Sequence, residues 1–174
     1  MADDMAGFDA VIASGVGNAN ALYVEGASYG GDLSSWIVTH TNRFKAAVAP
    51  VPVTDLLLEY TLSDNSNIER RFFGEKPATD PRLLRDQSPL TYAGGERTPL
   101  LIIIGLRGTR APYPAAIAFY KTVLENGGPA KLLADPAAGH FPSDPQGIIA
   151  WYSATFGWLA RYGAPAIPDA VLPN

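Results

Sequence analysis

Val24-Glu25-Gly26-Ala27-Ser28-Tyr29-Gly30-Gly31 is the stretch on which the reading of this chain turns. It follows a short apolar run, Ala21-Leu22-Tyr23-Val24, with the composition of a buried strand. It precedes Leu33-Ser34-Ser35-Trp36-Ile37-Val38, where the spacing predicts a helix with Leu33, Trp36 and Ile37 on one face. Strand, tight turn and helix, with Gly-x-Ser-x-Gly at the turn, form the context of a nucleophile elbow. The glycines have a physical task there. Neighbours without a β-carbon let the chain bend sharply and let the helix come close. The turn lifts the serine hydroxyl above the sheet edge, and the N-terminus of the following helix favours negative charge beside it. The same letters also fit a glycine-rich turn with an idle serine. The strand and helix patterns on either side favour the first reading.

The 174 residues suffice for one domain with a real core and are too few for two comfortable ones. Hydrophobic residues make up 47% of the chain, which excludes a disordered polypeptide. The net charge is −4 and no basic block interrupts it, so nothing points to nucleic acid. No apolar run reaches membrane-spanning length, and the acidic start Met1-Ala2-Asp3-Asp4 lacks a signal-peptide pattern. The expectation is a cytoplasmic chain with no membrane partner. There are no cysteines, which removes disulfides and thiolate chemistry. With His40 and His140 as the two histidines, no carboxylate–histidine group has metal-ligand spacing. Neither a metal nor a cofactor is expected.

Outward from the turn, strands alternate with helices. Met5, Phe8, Val11 and Ile12 predict a helix over 3–14, ended by Gly15 and Gly17. Phe44 to Ala49 predicts a second strand closed by Pro50 and Pro52, and Thr54-Asp55 a cap for a helix at Leu56-Leu57-Leu58. A helix is expected near Ile68–Phe73, while Lys76-Pro77, Asp80-Pro81 and Ser88-Pro89 read as loop punctuation. Leu100-Leu101-Ile102-Ile103-Ile104 is the strongest strand, apolar on both faces as a central parallel strand should be. A helix over 114–125, a shorter strand over Ala130-Lys131-Leu132-Leu133-Ala134, and a last helix over 147–162 complete the pattern. The proline-rich tail beyond it is expected to pack loosely. The alternation implies a parallel sheet between helical layers, with Ser28, the loop after Ile104 and His140 all at the strands' C-terminal ends.

The chain resembles the catalytic domain of the prolyl oligopeptidase family, especially its acylaminoacyl-peptidase and dipeptidyl-peptidase-like branches. The resemblance runs over about residues 4–162. It is carried by Gly26-Ala27-Ser28-Tyr29-Gly30-Gly31, Thr41-Asn42-Arg43-Phe44-Lys45-Ala46-Ala47-Val48-Ala49, Ser88-Pro89-Leu90-Thr91-Tyr92-Ala93, Thr98-Pro99-Leu100-Leu101-Ile102-Ile103 and Gly139-His140, in that order. It implies a truncated α/β-hydrolase-like three-layer sandwich with a mostly parallel sheet of about four strands. Residues 1–174 then form a single, partial catalytic domain: the C-terminal half. It also implies a serine hydrolase, by type a peptidase, acting on a peptide or a small ester. Ser28 looks like the nucleophile, His140 like the general base, and the Tyr29 N–H like an oxyanion donor.

Two departures from the family pattern bear on activity. The family acid lies in His-Gly-Glu-x-Asp-x-x-Val-Pro, where this chain has Ile104-Gly105-Leu106-Arg107-Gly108-Thr109-Arg110-Ala111-Pro112. The aspartate position is Gly108, and Arg107 and Arg110 make the loop basic, which disfavours an imidazolium. Asp55 and Asp135 are candidate replacement acids, with capping or solvated roles as the alternative. The second departure is the set of strands that the family places before this point, one of whose loops supplies half of the oxyanion hole. The alternative function is therefore a catalytically impaired remnant, or a binding or structural module. The edge at Ala21–Val24 would lack its outer neighbour, and a homo-oligomer through it is expected. His40, Glu25 and Asp32 read as surface, packing or capping residues.

Overall fold

The computed structural model describes residues 1–74, 80–95 and 97–165. Its sheet has four parallel strands, β1 (Tyr23–Glu25), β2 (Ala46–Pro50), β3 (Leu100–Gly105) and β4 (Ala130–Asp135), side by side in that order. The two inner strands are buried along their whole length, as their unbroken apolar sequences require. In register, Val48 lies between Glu25 and Leu101, and Ile102 lies between Ala49 and Leu132. β2 is built from Ala46, Ala47, Val48 and Ala49, whose small side chains let helices approach the sheet closely. β4 is only partly covered and exposes Lys131.

The helices are α1 (Ala2–Ala13), α2 (Tyr29–His40), α3 (Leu56–Leu62), α4 (Asn67–Phe73), α5 (Pro81–Asp86), α6 (Tyr113–Glu125) and α7 (Pro145–Arg161). Each crossover advances by one strand, so right-handed connections put α2, the α3–α5 segment and α6 on one face. α7 packs back on β2 and β3 with Trp151 and Trp158 buried, covering the other face. Phe119 of α6 is fully buried against the sheet. α1 has no buried residue, yet Met5, Phe8 and Ile12 lean on the core and Phe8 meets Phe44 edge-on.

Two local readings need correction. The buried face of α2 is Gly31, Ser34, Ser35, Ile37 and Val38, whereas Leu33 and Trp36 are only partly covered. Small residues, not the largest apolar ones, face the sheet because the helix lies so close. A β-carbon on Gly31 would stand 2.9 Å from Pro52 Cα. Asp80-Pro81 is a helix start rather than loop punctuation. Asp80 accepts from the Arg82 N–H, and Pro81 holds the first position of α5, where its missing N–H costs nothing. Ser88-Pro89 likewise opens a single 3-10 turn over Pro89–Tyr92. Lys76-Pro77 and residues 166–174 lie outside the described residues. The result of this order is that the ends of β1, β3 and β4 bring Ser28, the loop after Gly105 and the loop carrying His140 to one rim.

Candidate active site

Ser28 occupies the turn between β1 and α2 at φ 59°, ψ −118°, a conformation that non-glycine residues seldom adopt. The surroundings fix it there. Its N–H donates to Pro50 O at 3.0 Å, and its carbonyl accepts from the Asp32 N–H at 3.0 Å. Gly26 is required beneath the turn, because a β-carbon there would stand 2.5 Å from Gly30 O. Val51, at φ 43°, is a second strained residue, held at the end of β2 by its N–H to Ile103 O. Tyr29 opens α2, and its N–H is one of those a helix leaves without an internal acceptor. Its side chain is 66% exposed, so it does not pack in the core.

His140 Nε2 lies 3.0 Å from Ser28 Oγ, across 112 residues of sequence. The ring packs edge-on against Phe141. Its other nitrogen, Nδ1, is buried without a hydrogen-bond partner among the described residues. Burial lowers the His140 pKa below its ordinary value, the Arg110 guanidinium lowers it further, and Asp64 opposes them. The loop that carries His140 is fastened to the loop after β3: Leu106 N–H donates to Asp135 O at 2.8 Å and Arg107 N–H to Ala138 O at 3.0 Å. Gly108 sits against this join, where a β-carbon would stand 3.0 Å from Gly139 O, next to His140. Gly108 thus lies beside the backbone that leads into His140 and carries no side chain.

The two candidate acids are engaged elsewhere. Asp55 caps α3 by accepting from the N–H groups of Leu57 and Leu58 at 2.9 and 3.1 Å. Asp135 accepts from the N–H groups of Ala137 and Ala138 and from Trp151 Nε1 at 2.9 Å. The first of these bonds, to Ala137, does most to hold its pKa below the usual carboxylate range. Asp135 shapes the turn that delivers His140 without bonding to the imidazole.

Sequence reasoning missed Asp64 and misjudged Asp32. Asp64, in the loop after α3, pairs with Arg110 and accepts from Thr109 Oγ1 at 3.1 Å. The Arg110 bond holds its pKa low, and its field reaches His140. No local pattern marks it, since its partners lie 45 and 46 residues away. Asp32 is no surface or capping group: its Oδ1 is buried and has no partner among the described residues. Burial pushes its pKa up to about 7. Glu25 is exposed at the end of β1, and exposed His40 stacks on Trp36, away from Ser28. A cavity of about 290 Å³ opens beside Ser28 between α2, α3 and α4. Among the described residues no group of three histidine, aspartate or glutamate side chains could hold a metal, and no helix is long and apolar enough to cross a membrane.

This geometry can be set beside known proteins. The model of the prolyl oligopeptidase family matches residues 1–165. The chain is 37% identical over 125 residues to the uncharacterised peptidase YuxL of Bacillus subtilis, covering 68% of this chain and 18% of that protein. It is 29% identical over 143 residues to dipeptidyl-peptidase 5 of Porphyromonas gingivalis, covering 79% of this chain and 21% of that one. It therefore spans about a fifth of the length of these relatives. The fold is similar to Pyrococcus horikoshii acylaminoacyl peptidase, with TM-score 0.82 and 21% identity over 93% of this chain and 28% of that one. A Mycobacterium tuberculosis puromycin-hydrolyzing peptidase superposes with TM-score 0.84 and 21% identity over 94% of this chain and 25% of that one. At these identities the structural likeness establishes an α/β-hydrolase fold.

Proposed function

Because the chain belongs to the prolyl oligopeptidase family, we propose that it is a serine hydrolase of peptidase type, working through an acyl-enzyme at Ser28. The observation that carries the reading is the 3.0 Å approach of His140 Nε2 to a serine held on a strained strand-to-helix turn. In this reading the turn is a nucleophile elbow and residues 1–174 are a single, partial catalytic domain. Ser28 Oγ attacks the acyl carbon as its proton passes to Nε2, and the Tyr29 N–H receives the developing oxyanion. The imidazolium returns the proton to the leaving group, and water then releases the acyl group from Ser28. A cysteine-free chain suits a cytoplasmic setting without requiring one.

The orphaned Nδ1 limits this chemistry. For Nε2 to accept the serine proton, Nδ1 must carry the ring hydrogen, and here that N–H has no acceptor. A buried unsatisfied nitrogen costs about 1–3 kcal/mol in either tautomer, so no partner among the described residues selects the productive one or stabilises the imidazolium. Loss of the triad aspartate has cost about 10⁴ in turnover in a serine protease. Loss of one oxyanion donor costs about 10²–10³. Activated esters are the expected substrates of the isolated chain, with amides very slow. The same orphaned nitrogen favours a second reading, an impaired remnant or a binding or structural module.

A fluorophosphonate probe separates the two readings, since it needs an activated serine and no known substrate. The expected result is labelling at Ser28 alone, abolished in Ser28→Ala together with esterase activity. Labelling spread over other serines, or none, selects the second reading. The pH profile gives an independent check. The base is the neutral imidazole, and its pKa lies below the ordinary 6.5. The acid fall of the labelling rate is therefore expected to have its midpoint below pH 6.5. A midpoint above 6.5 contradicts the assignment of His140 as base.

We also propose self-association along β1. Among the described residues its outer edge has no strand partner, and its end adjoins Phe141, Ile148 and Tyr152, which are exposed. Light scattering after size exclusion is expected to show a dimer or larger species. A monomer at tens of micromolar overturns this part of the proposal.

A further inference from the structure

The cavity beside Ser28 has five apolar walls, Val53, Leu56, Ile68, Phe72 and Phe73, and two acids set among them, Asp32 from α2 and Glu59 from α3. Such walls accept an alkyl stem. Asp32 stands in the first turn of the helix that begins next to Ser28. Its Oδ1 has neither solvent nor a hydrogen-bond donor among the described residues. A carboxylate in that position is costly unless a cation joins it.

Among the described residues, the charges near the cavity are directed elsewhere. Arg110 is bridged to Asp64 and also feels Glu59, the buried carboxylate on α3. His140 faces Ser28. On the far side of Asp32, the amino group of Met1 is paired with Asp4, and Tyr29 and Gln87 offer no cation. Among the described charges around Asp32, then, none is placed to neutralise it, while the cavity lies open beside it.

The geometry points to a substrate side chain with an alkyl stem and a primary ammonium head, its stem against the apolar walls, its head on Asp32 and its acyl carbon at Ser28. Asp32 is thus a specificity-determining residue, and the assignment rests on the hydrolase reading above. A compact ammonium on a four-carbon stem needs only one carboxylate oxygen, whereas the planar fork of a guanidinium seeks two. The burial that lifts Asp32 to about 7 also makes the preference depend on pH. Below that value the carboxyl is protonated and the attraction is lost.

The test compares two fluorophosphonates on the whole chain, one bearing a 4-aminobutyl group and one an n-butyl group. In either case Ser28 Oγ bonds to phosphorus, fluoride leaves, and the serine proton passes to His140. At pH 8 the amine probe is expected to label Ser28 about tenfold faster or more. The ratio should shrink toward 1 at pH 6, and in Asp32→Asn at any pH. A purely structural role for Asp32 would slow both probes alike and leave the ratio unchanged, which overturns the proposal. Equal labelling of the unaltered chain overturns it too, while leaving Ser28 as nucleophile intact. If neither probe labels Ser28, the hydrolase reading fails and the preference falls with it.

Discussion

Replacing Gly108 with aspartate is expected to raise ester turnover by up to about 10³–10⁴, the scale on which the triad carboxylate acts. The position is beside the join between the loop after β3 and the loop that carries His140. A β-carbon there starts 3.0 Å from Gly139 O and 3.2 Å from Gly139 C, alongside the residue that precedes His140. A carboxylate on that β-carbon could accept the Nδ1 hydrogen that now has no acceptor. It would fix the productive tautomer and stabilise the imidazolium. Two effects reduce the gain. The neighbouring carbonyl must give by a few tenths of an ångström, and Arg110 already opposes the charged ring. The measurement is kcat on an activated ester in Gly108→Asp, beside His140→Ala in both backgrounds. A rise that His140→Ala abolishes fits the expectation. No rise, with His140→Ala still lowering the original rate, means that the imidazole is oriented by other means, and Asp64→Asn then tests whether the field of Asp64 contributes. Silence in every variant identifies a dead site.

Gly105→Ala is expected to do the opposite, and strongly. Its β-carbon would stand 2.0 Å from Gly139 O and 2.6 Å from Ala138 O, both backbone atoms of the loop that carries His140. Backbone cannot swing aside as a side-chain tip can, so the loop must move off the end of β3. Overpacking of this kind costs about 1–3 kcal/mol, which leaves the fold largely intact. A displacement of about 1 Å in a catalytic group costs about 10² in rate, so Ser28 labelling should fall at least that far. Gly139→Ala is the control. Nothing lies within 4 Å of a β-carbon at that position. Its labelling should stay near that of the original chain. If Gly105→Ala labels normally, the loop join does not position His140. Thermal denaturation distinguishes a moved loop from an unfolded protein.

These expectations draw on both sources of information in unequal measure. The strands were legible because parallel strands buried on both faces must be continuously apolar, as Leu100 to Ile104 is. Asp55 could be read as a cap because a capping bond spans only two or three residues. The face of α2 was misread because amphipathic spacing favours large apolar residues. A helix pressed onto an alanine-rich strand buries small ones instead. Asp80-Pro81 was misread because the same dipeptide breaks one helix and begins another, and the residues after it, Arg82 to Asp86, make the difference.

Sequence alone determined the order of strands and helices, the serine turn and the absence of a side chain at position 108. Each is a property of adjacent residues or of short-range periodicity. Tertiary structure alone decided that Ser28 and His140 meet at 3.0 Å and that Asp135 holds a turn and an indole instead of the imidazole. It also decided that Asp64 is bound to the loop after β3 and that one oxygen of Asp32 is shut away from water without a partner among the described residues. Hydrogen bonding and burial of a carboxylate depend on groups tens of residues distant in sequence. Folding the strands side by side brings those groups within a few ångströms, and only then do burial and nearby charge set each carboxylate's proton affinity.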